Sequence, residues 1–182
     1  AAAGKSDTSV VDFDDVRVAK VDASTNPDPN KYTYWEDFEN VDQGFGVFVS
    51  TESDQSHLSQ KNPVNPEYTT DVIDGNYSLK IRAKDYMRTI PSTVRFKPNT
   101  EYKVGIEYKA PSANAFTFAV KSDKASKTLA SAVANAQSGK LVLEFTTGDE
   151  EDCYVDITGQ SSEYYVDNFY VENIEVPADF SE

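Results

Sequence analysis

Between residues 101 and 109 every second side chain is apolar: Tyr102, Val104, Ile106 and Tyr108. A chain with that period has one apolar face only if it is extended, because successive side chains of a strand point to opposite sides. The same beat recurs over residues 77–82, in Phe116, Phe118 and Val120, in Leu141, Leu143 and Phe145, and over residues 154–158 and 164–176. Shorter extended pieces are expected at residues 9–21, 32–40, 47–49, 87–90 and 94–96. Turn formers separate them, at Asp74-Gly75-Asn76, Pro91 and Lys97-Pro98-Asn99-Thr100. Short strands at this spacing predict an all-β chain, an antiparallel two-sheet jelly-roll β-sandwich. One stretch dissents. Residues 126–137 are rich in alanine and Gly139 follows them, which suits a short helix as well as an edge strand with a loop. Residues 50–70 are polar, contain Pro63 and Pro66, and read as a long loop, a frequent place for function.

The charge narrows the function. Thirty-one acidic against 17 basic side chains give a formal charge of -14 among 182 residues. Such a surface repels nucleic-acid phosphates and anionic membranes. No apolar run approaches the length of a membrane-spanning helix. The single cysteine, Cys153, allows no intrachain disulfide and reads as a small packing residue. Aromatic residues are plentiful, with 11 Tyr and 10 Phe, which suits half-buried strand surfaces and sugar-contacting loops alike. Enzyme signals are missing: no nucleophile elbow, phosphate loop or metalloprotease helix occurs, and the acidic run at residues 149–152 reads as a solvated turn. No catalytic residue is assigned.

Two segments near opposite ends read alike, Phe13-Asp14-Asp15-Val16-Arg17-Val18 and Val166-Asp167-Asn168-Phe169-Tyr170-Val171. If the second closes a sandwich over residues 32–177, the first reads as the last strand or tail of a preceding domain over residues 1–22. Residues 23–31 then form a Pro-rich linker and residues 178–182 a tail. The start, Ala1-Ala2-Ala3-Gly4-Lys5, looks like a cut inside a longer polypeptide. Aspartate is disfavoured in strands. Strict alternation puts Asp167 on one face with Tyr165, Phe169 and Val171, where a carboxylate costs several kcal/mol unless compensated. A hard cation such as calcium compensates it, with Glu39 and Asp167 as carboxylate ligands, Asp37 and Asp74 in reserve, and oxygens near Asn76 completing the shell. The alternative is that Asp167 accepts backbone N–H bonds at a loop end. The lone His57, with Asn62, Tyr68, Tyr86 and Arg88, is expected on loops that converge on a sugar. Trp35 is a further stacking candidate or a core residue.

Phe38-Glu39-Asn40, residues 71–80 (DVIDGNYSLK) and Tyr165-Val166-Asp167-Asn168-Phe169, taken in order, resemble the galactose-binding-like β-sandwich modules attached to bacterial glycoside hydrolases. Residues 32–41 (YTYWEDFENV), the His57-Leu58-Ser59 segment, Thr89-Ile90-Pro91 and Arg95-Phe96 are similar to the C-terminal sandwich of the endo-α-N-acetylgalactosaminidases. Enzymes of that family release the core galactosyl-GalNAc disaccharide from mucin-type O-glycans. The resemblance implies a non-catalytic carbohydrate-binding module of a secreted or wall-attached bacterial enzyme. It implies galactose- or GalNAc-containing glycans and adjacent enzyme domains as partners. It further implies a structural calcium joining the first strand, the turn before the Ser78-Leu79 strand, and the last strand. The catalytic barrel of that family is absent from this sequence, so its hydrolase activity does not carry over. Two functions stay open, a glycan-binding module and a structural module that buttresses its neighbours. A concave site shared by His57, Arg88 and an exposed aromatic would favour the first; scattering of those residues would favour the second.

Overall fold

The computed structural model describes residues 26–50, 56–62, 64–65, 71–124, 126–149, 152–159 and 162–174. The expected strand at residues 9–21, Tyr68 and the C-terminal tail lie outside them. Among the described residues the chain forms β1 (Tyr32–Glu36), β2 (Phe48–Ser50), β3 (His57–Gln60), β4 (Tyr77–Ile81), β5 (Tyr86–Thr89), β6 (Glu101–Lys109), β7 (Phe116–Ser122), β8 (Lys127–Val133), β9 (Ser138–Thr146), β10 (Cys153–Gly159) and β11 (Tyr164–Asn173). One sheet runs β3-β4-β11-β6-β9, with β1 also paired to β11; the other runs β2-β5-β10-β7-β8. All pairings are antiparallel.

The alternating residues close on each other as the pattern demands. Tyr102, Val104, Ile106 and Tyr108 of β6 and Leu141, Leu143 and Phe145 of β9 face Phe116, Phe118 and Val120 of β7 and Val155 and Ile157 of β10. Cys153 joins this core as a buried residue outside any disulfide. Phe116 and Tyr164 stack at 4.4 Å across the layer. Each such side chain contributes about 1.5–3 kcal/mol by leaving water.

One open alternative is decided and three expectations change. The alanine-rich stretch is the edge strand β8, paired in antiparallel fashion with β7. Its half-buried Leu129, Ala130 and Ala132 pack on the core, a tertiary gain that outweighs helix propensity. The polar stretch after Ser50 contains β3, held to β4 from His57 to Gln60. Residues 94–96 are not a strand. Thr93 and Val94 both donate N–H bonds to Ile90 O, so the chain turns after Pro91 while Val94 and Phe96 still reach the core.

The last change concerns β11. Tyr164 and Val166 point inward, then Phe169 and Val171 do, so the parity of the strand flips between them. A bulge between Asp167 and Tyr170 inserts the extra residue, and Asn168 takes the left-handed φ of 48° that this requires. Asp167 therefore does not share a face with Phe169 and Val171. It pairs with Glu107 and is roofed by the turn ahead of β4.

Candidate functional site

The turn at residues 74–76 gathers most of the acidic candidates. Gly75 has φ 56°, and a Cβ there would stand 2.2 Å from Glu39 Oε1, so only glycine leaves room for that carboxylate. Glu39 Oε1 accepts the N–H groups of Asn76 (2.7 Å) and Tyr77 (2.9 Å), and Oε2 accepts the Asn76 side-chain amide (3.1 Å). Asp167 is 1% exposed. Its Oδ2 accepts the Ser78 hydroxyl (2.6 Å) and the Asp74 N–H (3.3 Å), and its Oδ1 accepts the Asn168 N–H (2.8 Å). Burial pushes its carboxyl up to about 7, against the lowering effect of these bonds. Asp37 and Asp74 accept local N–H groups from Glu39 and Gly75.

Asp37, Glu39, Asp74 and Asp167 line one cavity of about 220 Å3 together with Pro27, Trp35, Gly75 and Asn168. The donor chemistry fits a hard cation, since four acidic residues and an amide border the space and no basic side chain lines it. Their oxygens are turned onto N–H groups. Among the described residues no three acidic, His or Cys side chains already stand grouped closely enough to hold a metal ion.

The sugar candidates do not meet at one place. His57 pairs across from Lys80 at the edge of the six-stranded sheet, and Asn62 closes a local turn by accepting the N–H groups of Val64 and Asn65. Trp35 packs beside Tyr170 on β1 and β11. Tyr86 and Arg88 are strand residues of β5 in the other sheet. The expected convergence on loops fails because β3 and β5 are strands of different sheets.

Tyr86 and Arg88 nevertheless belong to a cluster. Met87 points into the core, so its neighbours point outward. Register sets Arg88 beside Asp156 and Ala119, and Tyr86 beside Thr158 and Thr117. The Arg88 guanidinium lies 5.1 Å over the Tyr154 ring and reaches Asp123 at 3.3 Å. The Tyr154 hydroxyl donates to Asp123 at 2.9 Å and is bonded to that of Tyr86. Asp156, 1% exposed, pairs with Lys121 and accepts the Thr158 hydroxyl at 2.8 Å. Tyr86, the Arg88 guanidinium, hydroxyls and carboxylates thus share one strand surface above the buried Tyr154 ring, a mixture that grips a polyol. Sequence reasoning missed Tyr154, Asp156, Lys121 and Asp123. The outward half of the alternation in residues 154–158 was the available signal.

Two antiparallel sheets on one core give the β-sandwich fold also seen in carbohydrate-binding modules. Among solved structures it superposes on the C-terminal family 22 carbohydrate-binding module of a Clostridium thermocellum endo-1,4-beta-D-xylanase, with a TM-score of 0.56 and 18% identity over 83% of this chain and 98% of that one. The CBM22-1 xylan-binding domain from Paenibacillus barcinonensis gives 0.55 and 13% over 80% and 96%. The chain belongs to the galactose-binding domain-like family, which it matches over residues 14–169. A Renibacterium salmoninarum protein that bears the name endo-alpha-N-acetylgalactosaminidase is 30% identical over 124 residues; the match covers 60% of this chain and 8% of that protein.

Proposed function

We propose that the chain is a glycan-binding module of a larger mucin O-glycan-degrading glycoside hydrolase, resembling endo-α-N-acetylgalactosaminidase. It binds galactosides or N-acetylgalactosamine weakly, through the outer face of the five-stranded sheet. The observation that carries this is the clustering of Tyr86, Arg88 and Tyr154 with Asp123, Lys121, Asp156 and Thr158. An exposed Arg–Asp pair such as Arg88–Asp123 stabilises a fold by about 1 kcal/mol at most, so stability alone does not account for the arrangement. The partial identity with the Renibacterium protein supports the mucin-glycan class. Affinity is weak because hydroxyls must be desolvated over a small contact. The test is a glycan array probed with the chain, followed by titration with the galactosyl-GalNAc disaccharide. Absence of any galactoside or GalNAc signal at millimolar ligand overturns it.

The scattering of His57 and Arg88 favours a second reading, a purely structural sandwich that supports neighbouring domains without sugar affinity. A blank array together with stabilisation by an adjacent domain would select it. A structural calcium held by Glu39 and Asp167, with Asp37, Asp74 and oxygens near Asn76 as further donors, belongs to either reading. Bound there, the ion supplies positive charge that keeps buried carboxylates ionised and ties β11 to the turn before β4. Secretion or wall attachment of the parent protein follows from its proposed substrate. Recovery of the parent only from the cytosolic fraction would contradict it.

A further inference from the structure

A second aromatic group lies on the outer face of the six-stranded sheet. Register sets Trp35 opposite Tyr170, Tyr170 opposite Gly105 and Gly105 opposite Val142, one row across β1, β11, β6 and β9. The row points outward, because Tyr34, Phe169, Val171, Val104 and Leu143 take the inward positions beside it. The Trp35 and Tyr170 rings are within 14° of parallel at 6.4 Å, and Tyr32 adds a third ring 5.2 Å and 5.0 Å from them. A Cβ at Gly105 would stand 2.4 Å from Tyr170, so that ring lies across the strand where any other residue would raise a side chain. Val142, 45% exposed, continues the row.

Charged residues bound this strip on both sides. Glu172, Lys103 and Glu144 form the neighbouring row, with Lys103 and Glu144 3.0 Å apart; Glu107 and Lys140 pair at 2.5 Å on the other side. Rows of one face are two residues apart along each strand, about 7 Å, so the apolar strip is one row wide, with only Tyr32, opposite Glu172, beyond it. Docking of a folded protein needs roughly 800 Å2 per partner with an apolar centre, which a single row between ion pairs does not offer. A pyranose ring fits better. One of its faces is lined with C–H groups that suit the negative face of an aromatic ring, while its rim carries hydroxyls.

We propose that Tyr32, Trp35 and Tyr170 form a second glycan-contact strip, on which the C–H face of a pyranose stacks while the flanking Lys–Glu pairs bond its hydroxyls. The inference rests on the glycan-binding reading but uses the sheet face opposite to Tyr86 and Arg88. Two such faces would let one module contact two chains of a dense glycan coat, which raises avidity without stronger single contacts.

Trp35 is the sole tryptophan, so its emission reports this strip. The chain is titrated with the galactosyl-GalNAc disaccharide, N-acetylgalactosamine and xylohexaose, in wild-type and Arg88→Ala backgrounds. We expect a saturable emission change at millimolar sugar that persists in Arg88→Ala. Tyr170→Ala, and separately Val142→Lys, which leaves every aromatic in place and crowds the strip, should weaken it about fivefold or more. An emission change that vanishes in Arg88→Ala, or is indifferent to both strip variants, overturns the strip and leaves the module reading standing. No emission change with any probe also overturns it; a blank glycan array besides would remove the module reading as well.

Discussion

At Asp167, the burial of one carboxylate couples folding to pH. Burial raises its pKa from the usual aspartate range to about 7, so the folded chain holds that proton more tightly than the unfolded chain. The sign follows from linkage: this group favours folding while protonated, and its contribution is lost as pH rises from about 4 through about 7. In EDTA we expect the melting temperature to fall over that window, and Asp167→Asn to flatten the fall. Saturating calcium should reverse the trend by holding the carboxylate ionised. At a hundredfold excess over Kd it should add about 2.7 kcal/mol, or roughly 5–10 °C. A melting curve indifferent to both EDTA and calcium would leave the N–H and hydroxyl bonds as the whole explanation of this residue. Gly75 is a separate test. Gly75→Ala strains a left-handed backbone and pushes Glu39 off two N–H groups, so we expect a loss of about 2–4 kcal/mol by denaturant unfolding.

Among the elements, β11 carries the greatest consequence, because it pairs with β1, β4 and β6 and changes parity midway. Asn168→Gly should be close to neutral in thermal melting, whereas Asn168→Val should cost about 1–2 kcal/mol at φ 48°. Deleting Asn168 would rotate Phe169 and Val171 out of the core, and we expect no cooperative transition from that variant. This bulge also marks what the sequence left illegible. Alternation located β6, β7, β9 and β10 well, because each buries one face throughout. It could not locate a parity flip, because Asp167 and Asn168 read as two ordinary polar residues and the left-handed turn at Asn168 has no period. β8 was ambiguous for a related reason: alanine suits a helix in isolation, and only the partner strand β7 settles it. The short strand β3 was lost in a polar run because its pairing with β4 is made by backbone groups.

For the whole molecule, the sandwich and its family were legible, whereas the surface proposed to bind glycans was not. Spacing along the chain cannot reveal which strands share a sheet. His57 and Arg88 looked like partners and stand in different layers, while Arg88 and Tyr154, 66 positions apart by their numbering, are in contact. The order β2-β5-β10-β7-β8 brings them together, and that order is a property of the closed fold. The most direct test of the glycan-binding role is a calorimetric titration of the galactosyl-GalNAc disaccharide into wild-type chain and into Tyr86→Ala and Arg88→Ala. Lys121 is left intact because removing it would strand the buried Asp156 charge. The account predicts a millimolar Kd for the wild type, weakened about tenfold in each variant, a difference of about 1.4 kcal/mol. Equal heats for all three proteins, or none for any of them, would contradict it.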